Sequence, residues 1–137
     1  MTYSRFLKER IFQPLGMSGT VAHMAGSSTV GHWAFGYSER SFLRSHWFER
    51  TDQSLTSAVL GDGGIYSCAE DLRRWYRSLE LGGLAGEKWQ KAIEAPALLT
   101  NGESAGYGLG WEVKEYRGMP SLSHGGSSIG FSHAVRR

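Results

Sequence analysis

A serine-containing segment near the end of the chain has residue types that could form a covalent acyl intermediate. Residues 126–130 match the pattern G-x-S-x-G, with Ser128 in the place of the nucleophile of α/β-hydrolases. That pattern needs a turn from a strand into a helix, with an acid and a histidine later in the chain. Here a strand-like alternation follows, and only His133 remains, with no acid after it. The residues therefore argue against Ser128 as a nucleophile.

A second candidate lies directly before this segment, where His124 is followed by Gly125 and Gly126. Histidine changes its charge near neutral pH, which suits it to proton transfer and to polar recognition. Paired glycines let a ligand approach the backbone without meeting a side chain. A histidine at the end of a predicted strand can also simply pack and form hydrogen bonds there. Both interpretations of His124 stay open on the residue types alone.

Three helices are predicted from the spacing of apolar side chains. Residues 3–11 have helical spacing between a threonine that can cap the helix and Pro14, which ends it. Residues 67–70 have the Ser-x-x-Glu spacing of a capping box and begin a second helix, which stops at Gly82. Residues 87–95 predict a shorter third helix.

The last part of the chain changes to the alternating spacing of strands. Residues 107–113 predict a strand with one buried face, and Arg117–Gly118 predicts a hairpin turn. Leu122–His124 belongs to the next strand, and after a break at Gly125–Gly126 residues 129–135 alternate again. Helices followed by an antiparallel meander predict an α+β fold, with helices packed on the sheet.

Residues 18–57 show no sustained period and predict loops with short strands. Trp33, Tyr37 and Trp47 fall in this region and could line a substrate wall. Aromatic residues scattered through loops are more often part of a core, which is the interpretation we favour. Asp71 lies in the first turn of the second helix, where a carboxylate favours the helix dipole, and is expected to have a structural role.

Composition limits the classes of function. The 137 residues carry a net charge of +2, from 15 basic and 13 acidic side chains without a basic stripe, which argues against nucleic acid. The single cysteine, Cys68, is expected to be a small buried apolar group rather than a nucleophile. No Cys and His spacing matches a zinc site, so neither a metal nor a cofactor is predicted. No apolar run is long enough to span a bilayer.

Three segments occur in an order that is typical of one known family. They are FQPLGM at 12–17, GDGGIYS at 61–67 leading into EDLRRW at 70–75, and YGLGW at 107–111 leading to the histidine and two glycines at 124–126. Each segment is weak evidence by itself, but three with ordered spacing are specific. Together they resemble the serine hydrolases related to class C β-lactamases and penicillin-binding proteins. The resemblance implies a β-lactamase/transpeptidase-like α+β fold.

The resemblance also implies roles for individual residues. The family's site consists of a Ser and Lys one helical turn apart, a Tyr and Asn in a loop, and a Lys or His followed by small residues on a strand. His124, Gly125 and Gly126 match this third part, so His124 would hydrogen-bond the Tyr hydroxyl or a substrate carboxylate beside two substrate-binding glycines. The N–H of Ser127 would supply one oxyanion donor. Because lactamases more often have Lys at the histidine position, a broader hydrolase is favoured over a true β-lactamase.

The first two parts of that site do not occur in the sequence. No Ser has a Lys three positions later, and the nearest approach pairs Ser41 with Arg44, whose guanidinium cannot act as a base. No Tyr has an Asn two positions later. We therefore expect 1–137 to be one incomplete domain, cut at both ends, from the C-terminal part of such a hydrolase. By itself this chain should lack acyl-transfer activity.

Two functions follow from these expectations. A whole enzyme of this kind would form an acyl-serine intermediate and hydrolyse a small-molecule ester, amide or lactam. The alternative is a non-catalytic binding or interaction module, either a degenerate or a truncated relative. In either case an open sheet edge could allow self-association. Ser-x-x-Lys and Tyr-x-Asn in a longer product would favour the enzyme.

Overall fold

The computed structural model describes residues 1–23, 30–51, 61, 63–84, 86–128 and 130–137. Asp62 and Ile129, which the sequence analysis placed in a motif and in a strand, lie outside them. The chain divides into two compact units. The first contains Met1–Tyr76 and Ser127–Phe131, and the second contains Arg77–Gly126 and Ser132–Arg137. The expectation of one incomplete domain stays a prediction.

The first unit begins with the predicted helix. Helix α1, Tyr3–Leu7, starts after Thr2, whose hydroxyl oxygen accepts a hydrogen bond from the Arg5 N–H at 3.4 Å. It continues without interruption as a π-helical segment, Lys8–Phe12. The helix contributes to a small core of four buried residues, against which Ile11, Leu15 and Trp75 pack. The four are Leu7, Phe12, Met17 and Ala22.

Four short strands of the first unit form two antiparallel pairs. Strand β1, Val21–Ala22, pairs with β4, Ile65–Tyr66. Strands β2, Tyr37–Phe42, and β3, Ser45–Arg50, form a hairpin whose tip includes Leu43 at a φ of 55°. The sequence predicted loops with short strands in this segment, and β1, β2 and β3, of two, six and six residues, agree with that prediction.

The aromatic residues of this region lie at the surface of the first unit. Trp33, Tyr37 and Trp47 are 44%, 54% and 47% exposed, so the expectation that they belong to a core is wrong. Trp33 has Phe35 and Tyr66 as ring neighbours, with centroids 6.4 and 5.9 Å away. Trp33 therefore contacts other aromatic rings at the surface and is not buried in the core.

The second helix, α2, spans Ala69–Glu80 and confirms the helix predicted there. Gly82 follows at a φ of 91°, a left-handed conformation that favours glycine and stops the helix. The predicted capping-box residues have other partners. The Ser67 hydroxyl lies 2.8 Å from that of Thr20, and the Glu70 carboxylate accepts hydrogen bonds from arginines of its own helix.

A buried carboxylate ties the start of α2 to the preceding loop. Asp71 is only 2% exposed, and its Oδ2 accepts a hydrogen bond from the Gly19 N–H at 2.8 Å and from the Thr20 hydroxyl at 2.7 Å. Asp71 thus has the expected structural role, and these contacts add to its place in the first turn of α2. The neighbouring Cys68 is exposed, so the expectation that its side chain is buried is wrong.

The second unit contains a short helix and most of a three-stranded sheet. Helix α3 spans Glu87–Glu94, close to its predicted bounds. Strands β5, Glu112–Tyr116, β6, Met119–Ser128, and β7, Phe131–Arg136, lie in the order β5-β6-β7. Sheets with antiparallel pairs and separate helices confirm the α+β class. Across the described residues, no helix combines the length and apolar character that a membrane crossing requires.

Hairpin turns connect the three strands. Arg117 and Gly118 join β5 to β6 with φ values of 52° and 79°, the left-handed pair that a tight hairpin turn requires. This turn was predicted. The next turn, between β6 and β7, includes Gly130 at a φ of 77°. Trp111 and Leu122 are buried in this unit, at 8% and 7% exposure.

Candidate functional site

The predicted site residues 124–127 all lie within strand β6. The expected break at Gly125–Gly126 is therefore wrong, because both glycines are extended members of one ten-residue strand. The pairing with β5 covers only the first half of β6, from Tyr116 opposite Met119 to Glu112 opposite Ser123. Beyond Ser123, β5 no longer accompanies β6.

The backbone of β6 presents its N–H groups alternately to the two sides. The Leu122 N–H donates to the Arg137 carbonyl at 3.0 Å, and the Leu122 carbonyl accepts from the Arg137 N–H at 2.8 Å, so the backbone polar groups of Leu122 point toward the β7 side. In an antiparallel strand the next residue points the other way, and the direction alternates along the chain. Ser127 is five residues beyond Leu122, so its N–H points to the opposite side, which is the β5 side. At this level of β6 the strand β5 has already ended. This N–H therefore lies outside the pairing of β6 with β5.

His124 is exposed and forms a specific contact with a second ring of its own unit. Its Nε2 lies 2.9 Å from the hydroxyl of Tyr107, and the two ring centroids are 6.1 Å apart. Sequence reasoning expected a tyrosine partner for His124 but placed Tyr107 on the buried face of a strand. In the structure Tyr107 is 41% exposed and precedes β5, which begins only at Glu112. The sequence signal for this position is the tyrosine that begins YGLGW.

The two glycines of β6 differ in their surroundings. A Cβ on Gly126 would overlap the imidazole of His133, which lies across from it on β7. A Cβ on Gly125 would have one neighbour within 4 Å, the His133 carbonyl oxygen at 3.9 Å. A side chain at 126 would have to displace the exposed His133 ring, whereas the space beside Gly125 is open. Only Gly125 fits the expectation that a missing side chain leaves room for a ligand.

The Glu112 carboxylate on β5 interacts with Lys114 on the same strand and with two residues of β6. The Lys114 ammonium 2.9 Å from Glu112, followed by the Ser123 hydroxyl at 3.3 Å and the charge of His124, lowers the pKa of Glu112. Glu112 therefore stays ionised near neutral pH. Its pair with Lys114 is half exposed, so the contribution of this pair to folding is small.

The nucleophile-elbow hypothesis for Ser128 is wrong. Ser128 ends strand β6, and the chain continues through a turn into strand β7. An elbow must lead into a helix, whose N-terminus completes the oxyanion site. No group of three or more His, Cys, Asp or Glu side chains that could bind a metal ion occurs within the part of the chain that is described.

Comparisons with known proteins agree with this fold and with the ordered segments. The chain matches the Beta-lactamase family over residues 1–137 and belongs to that family. It is 29% identical to a penicillin-binding protein of Bacillus subtilis, with 100% of this chain aligned to 32% of that protein. It is 27% identical to a D-aminopeptidase of Brucella anthropi, over 91% of this chain and 23% of the enzyme.

A solved structure shows the same fold. The octameric penicillin-binding protein homologue from Pyrococcus abyssi superposes with a TM-score of 0.75 at 19% sequence identity. The match covers 100% of this chain and 31% of that chain. The 137 residues therefore span about a third or less of the relatives that they match. The predicted family and the β-lactamase/transpeptidase-like fold are both confirmed.

Proposed function

We propose that these residues form one wall of a serine hydrolase site, in a protein whose nucleophile lies on a segment outside the 137 residues. The full-length enzyme forms an acyl-serine intermediate and hydrolyses it with water. The direction of the Ser127 N–H carries this proposal. An oxyanion needs a fixed backbone donor, and this one points to a side of β6 that β5 leaves unpaired.

The side chains near this donor support the same chemistry. His124 is exposed, and the ring nitrogen that Tyr107 does not contact can form a polar contact with the substrate or with a tyrosine of the segment that carries the nucleophile. Gly125 leaves open space beside the strand, where an acyl group can approach the backbone. His124 rather than a permanently charged Lys favours an ester or amide substrate over a lactam carrying a carboxylate. The similarity to a D-aminopeptidase supports an amide.

The test compares two substitutions at one position in the full-length protein. Ser127→Pro removes the backbone N–H, whereas Ser127→Ala keeps it and removes only the side chain. We expect Ser127→Pro to slow acylation by a fluorophosphonate probe by about 10²–10³-fold, the usual effect of losing one oxyanion donor. Ser127→Ala should react at nearly the wild-type rate. Circular dichroism and thermal unfolding establish that both variants are folded.

Two outcomes would contradict the proposal. Equal acylation rates in folded Ser127→Pro and Ser127→Ala proteins would show that this N–H does not bind the oxyanion. A full-length protein in which no serine is labelled would support the alternative, a non-catalytic binding module. Mass spectrometry of the labelled protein identifies the modified serine.

Self-association through a sheet edge stays a prediction. The outer strands of the three-stranded sheet are β5 and β7, and unpaired strand edges favour pairing with another chain. The homologue from Pyrococcus abyssi with the same fold is an octamer. Sedimentation equilibrium of the full-length protein would measure its mass and so test self-association. A mass equal to one chain would contradict this prediction.

A further inference from the structure

The contact between Tyr107 and His124 joins two exposed rings that are 17 residues apart in the sequence. A hydroxyl at 2.9 Å from Nε2 is at normal hydrogen-bond distance. The rings are inclined by 58° with centroids 6.1 Å apart, so a tilted ring contact accompanies the hydrogen bond. Exposed side chains usually occupy several rotamers, and the two contacts favour the one arrangement in which these rings meet.

The backbone around Tyr107 is held firmly by other parts of the second unit. The Tyr107 carbonyl oxygen accepts a hydrogen bond from the Ala97 N–H at 2.9 Å. On the following residue, the Gly108 N–H donates to the Trp111 carbonyl at 2.8 Å. Trp111 is itself buried, at 8% exposure. Tyr107 thus lies in a segment whose backbone is hydrogen-bonded on both sides.

Gly108, in the same turn, packs closely against the backbone at the end of helix α3. A Cβ on Gly108 would lie 2.6 Å from the Ala95 carbonyl oxygen and 3.1 Å from that of Ile93. Only glycine allows this approach to the end of helix α3, so the turn lies against that helix end. Tyr107 therefore has a defined position from which its hydroxyl can orient another ring.

We propose that Tyr107 is a positioning residue for His124, donating its hydroxyl proton to Nε2 so that the neutral imidazole carries its own proton on Nδ1. The inference rests on the proposed hydrolase function and specifies the polar contact that His124 makes there. A phenol is a good donor and an unprotonated imidazole nitrogen a good acceptor, which favours this direction of the hydrogen bond. The Nδ1–H then becomes the donor that His124 presents to substrate.

The hydrogen bond controls both the tautomer and the ring orientation of His124. A histidine that must donate to an ester or amide oxygen needs its N–H on the nitrogen that faces the substrate. Without Tyr107 the ring could flip and exchange its two nitrogens. The expected effect is a loss of rate with little change in substrate binding, since the ring remains present but is correctly oriented for a smaller fraction of the time.

The kinetic test is a double-mutant cycle in the full-length protein, with ester hydrolysis and fluorophosphonate acylation as readouts. Tyr107→Phe keeps the ring and removes the hydroxyl, and should lower kcat about tenfold, the upper range for one neutral hydrogen bond, with KM nearly unchanged. In a His124→Ala background the same change should have no further effect. Tyr116→Phe, an exposed tyrosine of the same sheet, is the matched control and should leave kcat unchanged.

A spectroscopic readout tests the contact without reference to activity. Long-range ¹H–¹⁵N spectra of histidine-labelled full-length protein should show His124 with an unprotonated Nε2 and a protonated Nδ1 at a pH where the ring is neutral. Tyr107→Phe should shift that tautomer ratio, and Tyr116→Phe should not. An unchanged His124 spectrum in Tyr107→Phe would overturn the inference, as would additive losses in the cycle.

The same experiments separate failure of this inference from failure of the proposed function. If His124→Ala leaves acylation unchanged, His124 has no part in the reaction. The role of His124 in the proposed function is then wrong, and so is the inference about Tyr107. If His124→Ala is slow but Tyr107→Phe matches the wild type, the hydrolase proposal stands and the positioning role of Tyr107 is wrong.

Discussion

Replacing Asp71 by alanine should be the most destabilising single change at the start of helix α2. The carboxylate is 2% exposed and accepts two hydrogen bonds, from the Gly19 N–H at 2.8 Å and from the Thr20 hydroxyl at 2.7 Å. Hydrogen bonds to a charged acceptor contribute about 1.5–3 kcal/mol each, and a buried N–H left without a partner costs about 1–3 kcal/mol.

These contributions do not simply add. The buried carboxylate is itself costly to desolvate, so its removal returns part of the loss. The Thr20 hydroxyl also keeps a neighbour in the Ser67 hydroxyl at 2.8 Å. The unsatisfied Gly19 N–H remains the largest uncompensated cost, and we expect Asp71→Ala to lower the free energy of unfolding of the full-length protein by about 3 kcal/mol.

Urea unfolding of the full-length protein, followed by tryptophan fluorescence, measures this loss as a lower midpoint at constant slope. Asp71→Asn keeps one acceptor oxygen and should lie between the wild type and Asp71→Ala. Glu70→Ala is the matched control, because Glu70 is the preceding residue of the helix but half exposed. The reasoning is refuted if Asp71→Ala and Glu70→Ala have the same midpoint.

Two further predictions concern the sheet and the charges of α2. Gly126→Ala should displace the exposed His133 imidazole and lower the free energy of unfolding by less than about 1 kcal/mol, and the loss measured in urea should disappear in a His133→Ala background. Hydrogen bonds from Arg73, and then from Arg74, lower the pKa of Glu70 from 4.5 to about 2, so its ion pairs stabilise the fold above pH 4.5 and are lost as the pH falls toward 2. Acid titration of Glu70→Gln should therefore show a smaller decrease in stability over this range than the wild type, and identical titration curves would contradict this.

The helices and turns could be predicted because their signals are local. Helix α2 repeats its apolar residues on one face and ends before a left-handed glycine, both of which are encoded within a dozen neighbouring residues. The Arg117–Gly118 turn likewise depends on the conformational freedom of one glycine between two strands. Such features need no knowledge of the remaining chain.

The strand predicted at 107–113 failed because alternation alone does not exclude a turn. Gly106 and Gly110 have φ values of 64° and 83°, which an extended strand does not contain. Tyr107 forms an antiparallel bridge with Glu112, so the chain reverses between them, and strand β5 begins only at Glu112. The contact of Tyr107 with His124 follows from this reversal, and no spacing rule would have paired two residues that a straight strand keeps apart.

The oxyanion donor proposed at Ser127 illustrates a limit of reasoning from side-chain types. Its direction follows from the hydrogen-bonded pair of Leu122 with Arg137 and from the parity of the strand, not from the identity of residue 127. Any residue except proline offers the same N–H there. The register of β6, shown by the pairing of Leu122 with Arg137, therefore determines where this donor lies. Changes that shift this register should impair acylation even though they alter no group that touches the substrate.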